Sequence, residues 1–225
     1  MNKISCLIPA YNEGARIGNV LGLVSRHPLI TEIIVVNDAS TDNTAEVAGH
    51  FPSVKLLNHD QNKGKSASVY TALISAKHEL ILMLDADLIG LTEKNLDDII
   101  NPVITNQADV SISLRGNSPW LWRLIGLDFI SGERLFPKKL LGDEINLIPS
   151  LPSFGLEVFL NKLIITKRLH LQVANWPNVS SPFKHRKYGF WIGIKGDLKM
   201  IRDIFKTISP LTYVYQIMMM LKLKI

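Results

Sequence analysis

The chain has 225 residues, 47% of them hydrophobic and 20% charged; this is enough for one α/β domain with a filled core and a C-terminal appendage, and it excludes disordered or collagen-like classes. Its one cysteine, Cys6, excludes an intramolecular disulfide and a zinc cluster, and fits a reducing compartment. The net charge of +5 is uneven: residues 181–225 carry nine Lys/Arg against two Asp, whereas the first 180 hold 16 basic and 18 acidic residues. The C-terminal end therefore suits an anionic partner, with a membrane surface or a phosphorylated substrate ahead of nucleic acid.

The N-terminus runs almost directly into an apolar strand, without a charged lead, a long apolar stretch and a small-residue cleavage site. No secretory signal is expected, and the location that follows is cytoplasmic, or peripheral on the cytoplasmic face of a membrane. Apolar, β-branched runs at Ile4–Ile8, Glu32–Val36, Val54–Leu57 and Leu80–Leu84 read as strands of a mostly parallel sheet covered on both faces. Helical spacing separates them at Ala15–Ser25, Asp42–His50 and Lys65–Ala76, giving β-α-β-α-β-α-β. A helix over about Glu93–Thr105 and a strand at Val110–Leu114 follow.

Beyond residue 115 the pattern is less regular. Pro119–Ile130 is rich in Trp and Leu and reads as a helix packed into a cleft or meeting a membrane interface. A helix at Gly155–Leu163 and a strand near Leu169–Val173 are expected next. Leu198–Ile208 reads as a basic amphipathic helix, and Leu211–Leu221 as an apolar one, too short to span a bilayer at roughly 20 residues per crossing. Such a tail suits interfacial attachment, packing on its own domain, or a homodimer contact.

The strongest chemical signal is Asp85-Ala86-Asp87 directly after the strand Leu80–Leu84. A strand end delivers side chains to the carboxyl edge of a parallel sheet, where open α/β folds bind ligands. Residues two apart in extended chain face the same way, roughly 6–7 Å apart, so both carboxylates can share one hydrated cation. Hard oxygen ligands favour Mg2+ or Mn2+, which bridges diphosphate oxygens. The same two acids also suit a solvated turn or a helix cap.

Three other loops leave strands at that edge: Pro9-Ala10-Tyr11-Asn12-Glu13, Asn37-Asp38-Ala39-Ser40-Thr41-Asp42 and Asp60-Gln61-Asn62-Lys63-Gly64-Lys65. Asp38 can accept from a nucleobase imide or a ribose, and Lys65 can meet a phosphate as a point charge. Ser40 and Asp42 are equally good helix caps, Asn62 and Gly64 good turn formers, and Glu13 a favourable first-turn acid.

Taken together, Pro9–Glu13, Val36–Asp42, Asn62-Lys63-Gly64-Lys65 and Asp85-Ala86-Asp87, in that order, resemble the pattern of glycosyltransferase family 2 over roughly residues 3–115. The resemblance implies a GT-A fold, an α/β domain with a mostly parallel central sheet flanked by helices. It also implies that the first two loops hold the nucleoside, that Lys65 approaches the phosphates, and that Asp85 and Asp87 bind the metal. Asn37 departs from the family, which often has an acid there. The implied substrate-binding set is Pro9, Tyr11, Asn12, Glu13, Asp38, Lys65, Asp85 and Ala86.

Ser131-Gly132-Glu133-Arg134 is similar to a segment of family members that act on polyprenyl phosphates, with Gly132 permitting close backbone approach and Arg134 gripping a phosphate bidentately; an ordinary helix start with a surface Glu–Arg pair reads the same way. Asp128 and Glu157 are the candidate catalytic carboxylates, as base or orienting group. Relatives place a metal-binding histidine shortly before a Lys-Lys-Tyr-Gly-like stretch, which Lys184–Gly189 resembles; if its position corresponds to Ser181 the histidine is missing, and His185, flanked by Lys184 and Arg186, is either the third ligand in a re-aimed loop or a solvated side chain.

The expected organisation is a catalytic domain over residues 1–196, with a nucleotide-sugar half (1–115) and an acceptor half (116–196), followed by a basic and apolar helical tail (197–225). The expected activity is metal-dependent transfer of a sugar from a UDP- or GDP-sugar to a phosphorylated, polyprenyl-phosphate-like acceptor. The alternatives are a nucleotidyltransferase, whose Gly-rich, Arg-bearing first loop is not what Pro9–Glu13 provides, and a non-catalytic nucleotide- or membrane-binding relative. A dinucleotide-binding oxidoreductase would need Gly-x-Gly-x-x-Gly after the first strand, and none occurs.

Overall fold

The computed structural model describes residues 3–152, 154–182 and 208–225. Strands β1 (Ile4–Ala10), β2 (Ile30–Asn37), β3 (Val54–Asn58) and β4 (Leu80–Met83) alternate with helices α1 (Gly14–Val24), α2 (Thr44–Gly49) and α3 (Lys65–Ser75). Then come α4 (Glu93–Ile104), β5 (Val110–Arg115), α5 (Trp120–Ile125), β6 (Arg134–Pro137), 3-10 turns at Lys138–Leu140 and Gly142–Ser150, α6 (Gly155–Thr166), β7 (Leu171–Trp176) and α7 (Pro210–Leu223). The spatial order is β3-β2-β1-β4-β6-β5-β7, with β1–β4 mutually parallel, β7 parallel to β5, and β6 antiparallel to both its neighbours.

β1, β2 and β4 are mostly apolar because both of their faces are covered. Along β1 and β2, Leu7, Ile34 and Val36 enter one core with α3 and α6. The alternate residues Cys6, Ile8, Ile33 and Val35 enter a second core with α1 and α4. A period of two thus sends successive side chains into opposite cores. Helix α4 is started by Thr92, whose hydroxyl accepts from Asn95 N while the Asn95 side chain accepts from Thr92 N.

Two expectations for the second half change. The apolar stretch Pro119–Ile130 is not one helix: α5 stops after six residues at Gly126, whose φ of 68° is left-handed. That reversal turns Leu127, Asp128 and Phe129 inward, where all three are buried. The segment holding Arg134 is a strand rather than a helix start or an open loop. It pairs Met83 with Arg134 and Leu82 with Leu135, and so inserts an antiparallel strand between β4 and β5.

The apolar tail packs on its own domain. Along α7, Met220 and Gln216 are buried, the Gln216 amide donates to Val158 O on α6 (3.2 Å), and Tyr213 meets Phe129 edge-on with ring centroids 4.8 Å apart. Ile225 N donates to Leu171 O at 3.0 Å, which fixes the end of the chain on β7. The expected basic helix at 198–208 falls almost wholly outside the described residues.

Candidate active site

The loops after β1 and β2 are laced together by their own polar side chains. Asn12, at φ 57°, donates its backbone N–H to Ser40 Oγ (3.0 Å), and its Oδ1 accepts from Thr41 N (2.8 Å). Glu13 N donates to Thr44 Oγ1 (2.8 Å) and Gly14 N to Asp42 Oδ2 (3.0 Å). Ser40 and Asp42 thus join the two loops rather than supply the side-chain cap of α2, although Asp42 Oδ1 also accepts from Thr44 N at 3.0 Å. Pro9 is half-buried at the end of β1, the Tyr11 ring is exposed, and the Glu13 carboxylate is paired with Arg16 at 3.0 Å. Burial raises the Glu13 pKa, with Arg16 opposing.

Asp38 sits differently from the expectation of an open acceptor for a base or ribose. It is buried, and its carboxylate accepts from His59 Nδ1 (2.7 Å), Lys63 N (2.9 Å) and Gly64 N (2.7 Å). Three of roughly four lone-pair positions are thereby taken by the chain itself. Asp38 shapes the loop that delivers Lys65, and His59, held on its far side by Thr71 at 2.9 Å, is the partner that the sequence did not reveal.

The strand-end acids behave as the two-residue period requires. Asp85 and Asp87 stay partly accessible, while Ala86 and Leu88 turn into the core. The Ala86 methyl is therefore not turned toward a substrate; only its backbone borders the site. Asp85 is bound by Lys65 (Nζ to Oδ1, 2.8 Å), and the same ammonium lies 3.1 Å from Glu157 Oε1. Burial works against the charges of this pair, but Lys65 and Arg115 outweigh it at Asp85, whose pKa is lowered, and Asp85 and Glu157 outweigh it at Lys65, whose pKa is raised.

Gly132 lies directly over the pair. A Cβ there would stand 2.7 Å from Lys65 Nζ and 2.8 Å from Asp85 Oδ1, so the expected close backbone approach is made, and its target is this ion pair. Burial, then the charges of Asp85 and Glu13, push the Asp87 carboxyl up to about 7.

Arg134, expected to grip a phosphate, is turned into the fold instead. It is 1% exposed and donates from Nε to Ser131 O (2.7 Å), from Nη1 to Asn161 Oδ1 (2.6 Å) and from Nη2 to Phe129 O (2.8 Å). On the antiparallel β6 its side chain points into the fold and ties β6 to α6 and to the turn after α5. The arginine at the site is instead Arg115, at the end of β5. Its Nη1 donates to Glu133 Oε1 (3.3 Å) and Ser181 Oγ (2.9 Å), its buried Nε has no partner, and its charge acts on Asp85, Asp87 and Asp128. A strand-end position on the fifth strand was the one signal for it.

Asp128 and Glu157, the two candidate catalytic carboxylates, are both buried. Asp128 accepts from Ser118 Oγ at 2.6 Å, and burial pushes its carboxyl up to about 6. Glu157 serves Lys65.

The chain around Ser181 is brought to the aspartates by a bridge between Ile89 and Ser180, with N–H···O distances of 2.8 and 3.0 Å. Ser181 itself accepts from Arg115, and His185 lies outside the described residues. Among the described residues no group of three His, Cys, Asp or Glu side chains is spaced to hold a metal. Even so, the acids present fit a divalent cation. Asp87 Oδ1 is buried without any hydrogen-bond partner, and the largest charge effects on Asp87, from Asp85 and Glu13, are those of negative groups, with Arg115 opposing them. An orphaned carboxylate oxygen of this kind is costly unless a cation meets it.

Comparison with known proteins places this geometry. The model of the glycosyl transferase family 2 matches residues 5–154, two thirds of the sequence. The chain belongs to glycosyl transferase family 2. Among its relatives, this family 2 chain is 44% identical over 149 residues to a dolichyl-phosphate beta-glucosyltransferase of Trichomonas vaginalis, covering 55% of this chain and 44% of that protein. It is 33% identical over 102 residues to a Staphylococcus aureus 4,4'-diaponeurosporenoate glycosyltransferase, covering 44% of this chain and 27% of that one. The chain spans less than half the length of these curated relatives.

Among solved structures, glucosyl-3-phosphoglycerate synthase of Mycobacterium tuberculosis, in complex with Mn2+, UDP and phosphoglyceric acid, superimposes with a TM-score of 0.67 at 21% identity over 92% of this chain and 78% of that one. Staphylococcus aureus TarS in complex with UDP-GlcNAc gives 0.63 at 20% identity over 84% and 61%. The fold is therefore the GT-A type.

Proposed function

We propose that this family 2 chain transfers a hexose from a UDP- or GDP-sugar to a phosphorylated, polyprenyl-phosphate-like acceptor, using a divalent cation, at the cytoplasmic face of a membrane with which it makes peripheral contact. The observation that carries the reading is the pairing of Asp85 and Asp87 at the carboxyl end of β4, with Asp87 Oδ1 left without a partner. Mg2+ or Mn2+ held by these two carboxylates, with His185 as candidate third ligand, would neutralise charge on the leaving diphosphate. The acceptor class is suggested by the dolichyl-phosphate relatives.

In this reading the exposed Tyr11 ring and the Asn12–Thr41 bridge border the nucleoside, and Glu13 closes the first loop. Lys65, released from Asp85 as charge accumulates on the diphosphate, supplies a cation from the α3 N-terminus, with Glu157 holding its ammonium in place. Arg115, with an unused Nε, is the group within the site suited to a phosphate. Asp128 and Glu157 are both buried and engaged, which suits an acceptor that needs no general base: a phosphate is already ionised at neutral pH, whereas an alcohol is not.

Calorimetric titration with UDP and with GDP, each with and without Mn2+, tests the proposal. Metal-dependent binding of one of them is expected, and the absence of any such binding would sink it. Asp87→Ala should abolish donor turnover while the circular dichroism spectrum and melting temperature stay close to those of the parent; retained turnover would place the metal elsewhere.

A further inference from the structure

Two neighbouring helices, α5 and the tail helix α7, leave apolar side chains in solvent after their inner faces have been used. On α7, Met220 and Gln216 face the core, while Leu211 (84% exposed), Val214, Tyr215 and Met218 form an outward stripe at i, i+3, i+4 and i+7. On α5, Trp122 is buried, and Trp120 (69% exposed), Leu121 and Leu124 (73%) are not. The helices are joined at two points. Phe129 packs edge-on between Trp122 and Tyr213, and Lys224 Nζ donates to Gly126 O at 2.9 Å. Single exposed apolar residues are ordinary, but a helical stripe beside a second apolar cluster is not.

We propose that α5 and α7 together dock on the headgroup region of an anionic membrane; this deepens the peripheral membrane contact of the proposed function by assigning the face that makes it. The charges carried by the two segments themselves are all of one sign: Arg123, Lys222 and Lys224, with no Asp or Glu in residues 116–127 or 208–225. A second copy of the chain related by a two-fold axis would set this basic fringe against itself, without an acid to pair with it. Anionic headgroups complement it. At 14 residues α7 is about 21 Å long and cannot cross a bilayer, and no helix among the described residues is long and apolar enough to do so; the helix therefore lies in the interface. Trp120 and Tyr215 are the residue types that settle at the boundary between headgroups and acyl chains. The face also adjoins the acceptor half: Trp120 follows Arg115 by five residues, and Ser118 is tied to Asp128.

The test is flotation of the full chain with phosphatidylcholine vesicles, plain or containing about 30% phosphatidylglycerol, at about 0.1 M and about 0.5 M salt. Flotation is expected with the anionic vesicles and weaker at high salt. The double variant Leu124→Asp/Met218→Asp should lose at least tenfold in bound fraction while its melting temperature and its UDP titration stay unchanged. The vesicle-induced blue shift of tryptophan emission should fall in Trp120→Phe.

Three results would overturn the assignment: equal flotation of the double variant, a wild-type chain that binds UDP but does not float, and sedimentation showing that the double substitution only breaks a dimer. Loss of UDP binding with flotation intact would count against the transferase reading alone.

Discussion

At Gly132 nothing larger than hydrogen fits without disturbing the Lys65–Asp85 pair, because a Cβ would stand within 3 Å of both partners. Gly132→Ala should leave the fold intact, since the lysine end is flexible, but displace the ammonium. The expected loss in Mn2+-dependent UDP affinity is about tenfold, or ~1.4 kcal/mol; unchanged calorimetric affinity would show that this contact is idle.

Asp128 gives a pH signature at the same scale. Its native pKa of about 6 lies above the ordinary 3.8, so between those values the folded chain holds a proton that the unfolded chain has released. Stability contributed by this site is then full at low pH and falls as pH rises through that window, by roughly 3 kcal/mol in all. Urea melts at several pH values should show the wild type losing stability relative to Asp128→Asn over that range; parallel profiles would mean that the carboxyl titrates normally.

Sequence alone brought Asp85, Asp87 and Lys65 to one sheet edge, because strand-end placement is a local property, and picked out Gly132 by resemblance to a family segment. It did not show the protein partners of Asp38 and Arg134, because which groups a polar side chain meets depends on segments far away in the chain. His59 lies 21 residues from Asp38, and Asn161 lies 27 from Arg134.

Among the elements, the regular β-α alternation up to β5 was legible because β1, β2 and β4 carry apolar runs, β5 alternates Val110, Ile112 and Leu114 with polar residues, and helical spacing of apolar residues fills the intervals. β6 was not. It is four residues long, begins with a buried arginine and ends with a proline, so neither alternation nor a long apolar run announces it. The length of α5 was also hidden: its apolar residues continue past Gly126, and only the left-handed φ there ends the helix. Gly126→Ala combines an unfavourable φ with a Cβ 2.7 Å from Lys224 Nζ. The expected cost is about 1 kcal/mol or more, measurable by chemical denaturation. Because Lys224 can swing away, adding Lys224→Ala should recover only the steric part.

For the molecule as a whole, the two cores share one sheet, and α7 contributes Met220 to the core under α6. We therefore expect the described parts, tail included, to unfold in one calorimetric transition. Met220→Ala should lower that single transition by the ~2–5 kcal/mol typical of a buried methionine truncation. A separate low-temperature step would show instead that the tail is an independent unit.

The sequence by itself determined the parallel half of the sheet, the loops gathered at its carboxyl edge and the pair of aspartates there, since periodicity and strand-end spacing act over a few residues. Only the tertiary structure decided which charged groups face that edge. It buried Arg134 and brought Arg115 forward, because an antiparallel strand inserted between β4 and β5 sets which way each side chain points. It also divided the apolar residues of α5 and α7 into a packed face and an exposed one, because that division depends on which neighbours already fill the core.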